Sequence, residues 1–230
     1  MIILGIETST RLGSVALIDE TRLIAEYRVS LEMKQAERLL PLIDAMLKET
    51  KISLSDLGAI AVSVGPGLFT GLRVGIATAK GLAMGRGLPL FPVPTLQAMA
   101  LPFFHARAAI LPMAVARKDE VYWAIFSPLG GRRNPDSVSS VEKVLEEMRQ
   151  KEDLREVLFI GEGALLHQDK IIKDFNGHPF FPSIGLQLPM ASSVAQMGLA
   201  QVAKGESFSA EEIVPVYLHE VSPNRGLNKS

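Results

Sequence analysis

Three short apolar runs crowd into the first thirty residues, and their spacing limits the chain's folds more than any other feature. Ile2–Ile6, Gly13–Ile18 and Leu23–Val29 are separated only by the polar stretches Thr8–Arg11 and Asp19–Arg22. Strands with such short links fold back on their neighbours, so an antiparallel meander is predicted. The pattern then changes. From Ala36, apolar residues at Leu39, Leu40, Ile43, Met46 and Leu47 follow helical spacing. Ser53–Asp56 reads as a turn, Ala59–Val64 as a buried strand, Leu72–Met84 as a second helix stopped by Gly85 and Gly87, and Leu90–Val93 as a strand. The order β-β-β-α-β-α-β describes an α/β lobe around a mixed sheet.

Pro102–Arg107 is the expected seam. Beyond it the pattern predicts strands at Leu111–Ala116 and Val121–Phe126, a polar stretch at Ser127–Ser140, and a helix at Val141–Arg149. A strand at Val157–Ile160, a helix at Ala191–Lys204 and an extended segment at Ile213–Leu218 complete the series. The expected division is an N-terminal α/β lobe at 1–102, a C-terminal α/β lobe at 103–221 and a mobile tail at 222–230 with little to bury. Two lobes that each begin with hairpins would fit an internal duplication.

With 47% hydrophobic residues, the 230-residue chain can bury a substantial core. No apolar run reaches the roughly 18 residues of a membrane span, and the acid at Glu7 argues against a signal peptide. There are no cysteines, which removes disulfides, thiolate metal sites and cysteine nucleophiles and suits a cytoplasmic setting. The 24 basic and 25 acidic residues leave a net charge of −1, with the basic residues spread along the chain. A protein that grips nucleic acid unaided concentrates positive charge. Any contact with RNA is therefore expected to be indirect.

Three features are candidates for function. Glu7-Thr8-Ser9-Thr10 closes the first strand, where a carboxylate and hydroxyls can hold a hydrated cation and phosphate oxygens, or can simply form a satisfied turn. Gly65-Pro66-Gly67-Leu68-Phe69-Thr70-Gly71 opens a helix and can offer N–H groups to an anion. It lacks the Lys and Ser/Thr ending of a P-loop, Pro66 removes a donor, and Thr70 can serve as a cap. The third feature is Gly71, Gly75, Ala79 and Ala83, four residues apart along one helical face. Glycine in a helix costs about 1 kcal/mol against alanine, so a close backbone neighbour is expected, either a partner or the lobe's own elements. Conventional catalytic groups are sparse. His105, His167, His178 and His219 form no HExxH pair, and no serine sits in a Gly-x-Ser-x-Gly elbow.

Ile6-Glu7-Thr8-Ser9, Glu37-Arg38-Leu39-Leu40-Pro41, the run Gly65–Gly75, Glu120-Val121-Tyr122-Trp123-Ala124 and Pro215-Val216-Tyr217-Leu218 together resemble the TsaB family, also called YeaZ. The resemblance implies a two-lobed actin/Hsp70/sugar-kinase-like (ribonuclease H-like) α/β fold with mixed sheets flanked by helices. It also implies an accessory, non-catalytic role in forming N6-threonylcarbamoyladenosine at position 37 of tRNAs that read ANN codons. The family's implied partners are the transferase TsaD, the ATPase TsaE and a second copy of itself through an overlapping surface. TsaD carries a His-x-x-x-His metal pair, and the matching positions here are Thr95 and Met99, so no catalytic metal is expected. Gln35 stands where many members have His, and Val115-Ala116-Arg117 where many have Asp-Ala-Arg.

Carried onto this chain, pairing through N-terminal helices points to Gly71, Leu72, Gly75, Ile76, Ala79 and Ala83, with Leu39, Ile43 and Met46 on a second helix. Gly75→Leu is expected to block pairing and leave the monomer folded. Glu7, Thr8, Ser9, Gly161 and Gly163 are expected as a vestigial phosphate or nucleotide site, with no cofactor required and ATP or ADP bound weakly at most. The alternatives are an ATP-binding phosphotransferase or ATPase, or a glycoprotease-like peptidase.

Overall fold

The computed structural model describes residues 1–30, 35–117, 119–151 and 153–218. His219, the expected tail and the side chain of Gln35 lie outside the described residues.

Strands β1 (Ile2–Glu7), β2 (Leu12–Ile18) and β3 (Leu23–Ser30) form the expected antiparallel meander. Helix α1 (Gln35–Thr50) then carries the chain across to β4 (Leu57–Gly65), and α2 (Phe69–Arg86) carries it to β5 (Leu90–Pro94). Both later strands join in parallel, in the order β3-β2-β1-β4-β5. Register explains why these strands read as continuous apolar runs. Leu4, Ile6, Val15, Leu17, Ile60 and Val62 fall on the face covered by α1 and α2. Ile3, Ile18, Ala59, Ala61, Phe91 and Val93 fall on the other, which is also covered. A sheet buried on both sides loses the alternation of a half-exposed one.

After β5 come α3 (Thr95–Ala100) and a short 3-10 turn at Leu101–Phe103, neither of which the sequence pattern predicts. The second sheet contains β6 (Ala109–Arg117), β7 (Glu120–Trp123) and β8 (Ser137–Ser140). Helix α4 (Val141–Arg149) follows, its N-terminus capped by the Ser140 hydroxyl, which accepts from the Lys143 N–H. The remaining elements are β9 (Glu156–Ile160), α5 (Glu162–Leu166), α6 (Gln168–Asp174), β10 (His178–Phe180) and α7 (Ala191–Ala203). Two expectations are corrected here: β7 ends at Trp123 rather than Phe126, and the Ser127–Ser140 stretch contains a strand.

The sheet order β8-β7-β6-β9-β10 repeats that of the first sheet, with two antiparallel pairs and then two parallel ones. The expected repeat is thus visible in the topology. The expected boundary at 102/103 separates the sheets but not the cores. Helix α7 packs on β1, β2 and β4, and α3 packs on β6. Gly5 and Gly198 make the first contact close: Cβ atoms there would meet Ala195 and Ala61 within 3.0 Å. Ile213, far along the chain, is buried in the first lobe's core.

Candidate functional site: the closed strand end and the exposed face of α2

Strand β1 delivers Glu7, Thr8 and Ser9 to the C-terminal edge of the first sheet, next to the end of β4 and the glycine-rich loop. The loop closes over them. The Leu68 N–H donates to the Ser9 carbonyl at 2.7 Å, and a Cβ on Gly67 would lie 2.5 Å from that oxygen, so only glycine fits. The Thr8 hydroxyl donates to the Gly71 carbonyl at 2.8 Å. Glu7 and Thr8 are fully buried and Ser9 almost so. The small cavity beside Ser9, lined by Thr10, Arg11, Leu68, Ala114, Val115 and Glu162, measures about 60 Å³. Ligand pockets usually span about 300–1,000 Å³. A neighbouring hollow of about 250 Å³ shares Thr10, Arg11 and Glu162 but is lined largely by Leu12, Leu165, Ile184 and Leu188.

Glu7 sits in a polar row within this otherwise apolar region. Its Oε1 accepts from the Ser9 N–H at 2.5 Å, while among the described residues Oε2 has no partner. The hydroxyls of Ser9, Ser63 and Thr95 are buried and likewise unpartnered. Burial pushes the Glu7 carboxyl above its ordinary value of 4.5, against the opposing pull of the Ser9 N–H.

Gly161 and Gly163, expected near a nucleoside, are used for packing instead. Gly161 has φ +106°, and a Cβ there would strike the Met113 carbonyl and come within 2.6 Å of Met99 Cε; a Cβ on Gly163 would lie 2.9 Å from the same carbonyl. The Gly161 N–H is taken by Gln187 Oε1 at 2.9 Å. These two glycines bring α5 against β6, and Gly163 belongs to that helix rather than to a loop. Thr95 and Met99, where the resemblance led to the expectation of no metal ligands, are both buried. Among the described residues no group of three or more His, Asp or Glu side chains could hold a metal ion.

The expected partner stripe is corrected. Gly71, Leu72, Gly75, Ile76, Ala79 and Ala83 are all buried in the first lobe. Ile76, Ala79 and Ala83 share its core with Leu39, Ile43 and Met46 of α1, which are buried too. Gly75 is small because Thr8 lies against it: a Cβ would fall inside 3.0 Å of the Thr8 hydroxyl. Gly75→Leu would therefore damage the monomer. The opposite face of α2 is exposed and runs through Phe69, Arg73, Ala77, Gly81 and Met84. A Cβ on Gly81 or Gly85 would meet nothing within 4 Å.

At the head of this face lies a cluster that sequence reasoning missed. The Arg73 guanidinium stacks 3.7 Å from the Phe69 ring centroid, and its Nε donates to the Tyr217 hydroxyl at 2.9 Å. Phe69 and Tyr217 stack at 5.1 Å. Residues 213–218 are held there by the Val216 N–H, which donates to the Val64 carbonyl at 2.8 Å. The four-residue step from Phe69 to Arg73 was readable as helical, but Tyr217 lies 144 residues away from Arg73, and no local signal joins them.

Two repeated mixed sheets with helices crossing between them define an actin/Hsp70/sugar-kinase type fold whose strand-end site is closed by its own loop. Residues 31–214 match the family model of TsaD, tRNA N6-adenosine threonylcarbamoyltransferase. The chain is 32% identical over 230 residues to the tRNA threonylcarbamoyladenosine biosynthesis protein TsaB of Escherichia coli, covering 95% of this chain and 94% of that one. It is 30% identical to the protein of the same name from Bacillus subtilis, with the same two coverages. The solved structure of YeaZ from Pseudomonas aeruginosa superposes with a TM-score of 0.76 at 29% identity, over 94% of this chain and 99% of that one. The chain belongs to the TsaB family.

Proposed function

We propose that this chain is the accessory subunit for N6-threonylcarbamoyladenosine formation at position 37 of tRNAs reading ANN codons. It binds the transferase TsaD, works with TsaE and carries no chemistry of its own. One observation supports the reading above others: the loop from Gly65 to Leu68 seals Glu7, Thr8 and Ser9, the groups a phosphotransferase of this fold would need to present. What remains on the surface suits binding: an apolar, small-residue face on α2 beside exposed Val214 and Val216. The chain requires no cofactor, and ATP or ADP binds weakly and only in the complex. tRNA is held by the partner. A second copy competes for the same face of α2, flanked by the exposed Leu40 and Asp44 of α1. A cytoplasmic setting accords with the absence of cysteine and with described helices too short or too polar to cross a membrane.

The test is threonylcarbamoyl transfer to tRNA reconstituted with TsaD and TsaE and supplied with an activated threonylcarbamoyl donor, with and without this protein. Transfer is expected to depend on the chain, to survive Glu7→Gln and to fail with Gly81→Leu, a variant whose side chain meets no atom of the monomer within 4 Å at Cβ. Transfer indifferent to the chain, or ATP turnover by the chain alone that Glu7→Gln abolishes, would favour the phosphotransferase alternative.

A further inference from the structure

Arg73, like Arg132 over Phe126, lies against an aromatic ring, and a second aromatic residue fixes it as well. Phe69 supplies a face for its guanidinium, and Tyr217 takes its Nε. Stacking and a fixed hydrogen bond remove most of the side chain's freedom before any ligand arrives, so less entropy is lost on binding. Yet among the described residues no carboxylate forms an ion pair with it, whereas Arg28, Arg132 and Arg133 each have one. Its surroundings are apolar and open: Phe69 is 42% exposed, Val214 57% and Val216 41%.

We propose that Arg73 is a pre-ordered receptor for a carboxylate, an Asp or Glu side chain of a protein partner that docks across the first turns of α2 and residues 213–218. This rests on the accessory-subunit reading and names the determinant of its partner surface. Among the described residues the charge on Arg73 has no ion-pair partner within this aromatic and aliphatic patch, and its planar fork matches a carboxylate bidentately. Arginine and tyrosine within an apolar patch are the composition of interface hot spots. A protein acid fits better than an RNA phosphate. Binding a phosphate backbone draws on several cations together, and this chain has net charge −1 with its basic residues dispersed. The C-terminal segment thereby gains a role: residues 213–218 bring Tyr217 to lock the arginine, and the Val216 N–H ties the segment to the lobe at the Val64 carbonyl.

The experiment is calorimetric titration of the full chain into purified TsaD, with thermal unfolding of each variant alongside. Arg73→Glu is expected to weaken binding by roughly 30-fold or more, the range of a hot-spot residue. Arg73→Lys is expected to restore little, since the ammonium has no fork. Tyr217→Phe keeps the ring but loses the anchor, so it should weaken binding by a smaller factor and leave the unfolding temperature near wild type. An Asp or Glu on TsaD whose change to Lys rescues Arg73→Glu would identify the partner group. Wild type and Arg73→Glu binding TsaD within about twofold of one another would overturn the inference and leave the accessory reading intact. Wild type that does not bind TsaD would overturn both. Loss of tRNA binding on Arg73→Glu, with TsaD binding unchanged, would replace the carboxylate with a phosphate and refute the proposal. If Arg73→Glu fails to fold, the Lys and Phe variants decide the matter by the same titration.

Discussion

Gly75→Ala tests the account of α2 most directly, because helix propensity and packing predict opposite signs. In a solvent-facing helix position the change stabilises by about 1 kcal/mol. Here the added methyl would fall inside 3.0 Å of Thr8 Oγ1, and 3.4 Å and 3.5 Å from the Thr8 Cβ and Cγ2. The two carbons can be accommodated; the oxygen cannot. Thr8 is fully buried between β1 and α2, and its hydroxyl is committed to the Gly71 carbonyl. Overpacking costs about 1–3 kcal/mol. Turning the hydroxyl away leaves a buried donor unsatisfied, at a further ~1–3 kcal/mol. Against the propensity gain, net destabilisation of about 1–5 kcal/mol is expected, a fall of roughly 6–12 °C in unfolding temperature at the middle of that range for a chain of this size. Gly81→Ala, six residues along on the open face, should raise it by about 2–4 °C. Thr8→Ala in the Gly75→Ala background should recover stability relative to additivity, since it removes the clashing oxygen. Circular dichroism melts of wild type, Gly75→Ala, Gly81→Ala, Thr8→Ala and the Thr8→Ala/Gly75→Ala double variant are sufficient. Gly75→Ala as stable as Gly81→Ala, or no coupling to Thr8, would refute the packing argument.

Glu7 gives a pH prediction. Its folded-state affinity for a proton is raised by burial, so above the ordinary value of 4.5 the unfolded chain releases the proton before the folded one does. Stability is then lost as pH rises toward and through the folded value, and the loss is absent below 4.5. Glu7→Gln removes the titration, so its unfolding temperature should gain on wild type as pH is raised from 5 to 8; a constant difference would contradict this. Gly161→Ala combines φ +106° with a strike on the Met113 carbonyl, and should destabilise by several kcal/mol or prevent folding, as read from soluble yield and melts. Ile213→Ala should cost about 2–5 kcal/mol in chemical denaturation although it lies in the C-terminal segment, because its side chain completes the first lobe's core.

Local spacing in the sequence was enough to determine the meander, the α1–β4–α2–β5 run and the α4 helix, because each lies in one continuous stretch with its own period and stop signals. The family, too, was legible in short motifs. The stretch from Glu162 to Phe180 was not: its two helices are five and seven residues long, too short for a period to emerge. The orientation of α2 was hidden for a different reason. Small residues at four-residue intervals occupy two of its faces, Gly71, Gly75, Ala79 and Ala83 on one and Ala77, Gly81 and Gly85 on the other, so spacing alone cannot choose the buried one. Only the position of Thr8, just past the end of a neighbouring strand, decides it. The closing of the loop over Ser9, the return of α7 to the first sheet and the meeting of Tyr217 with Arg73 belong to the same class. Each joins groups far apart in the chain, and such contacts follow from how the sheets and helices pack rather than from any local preference.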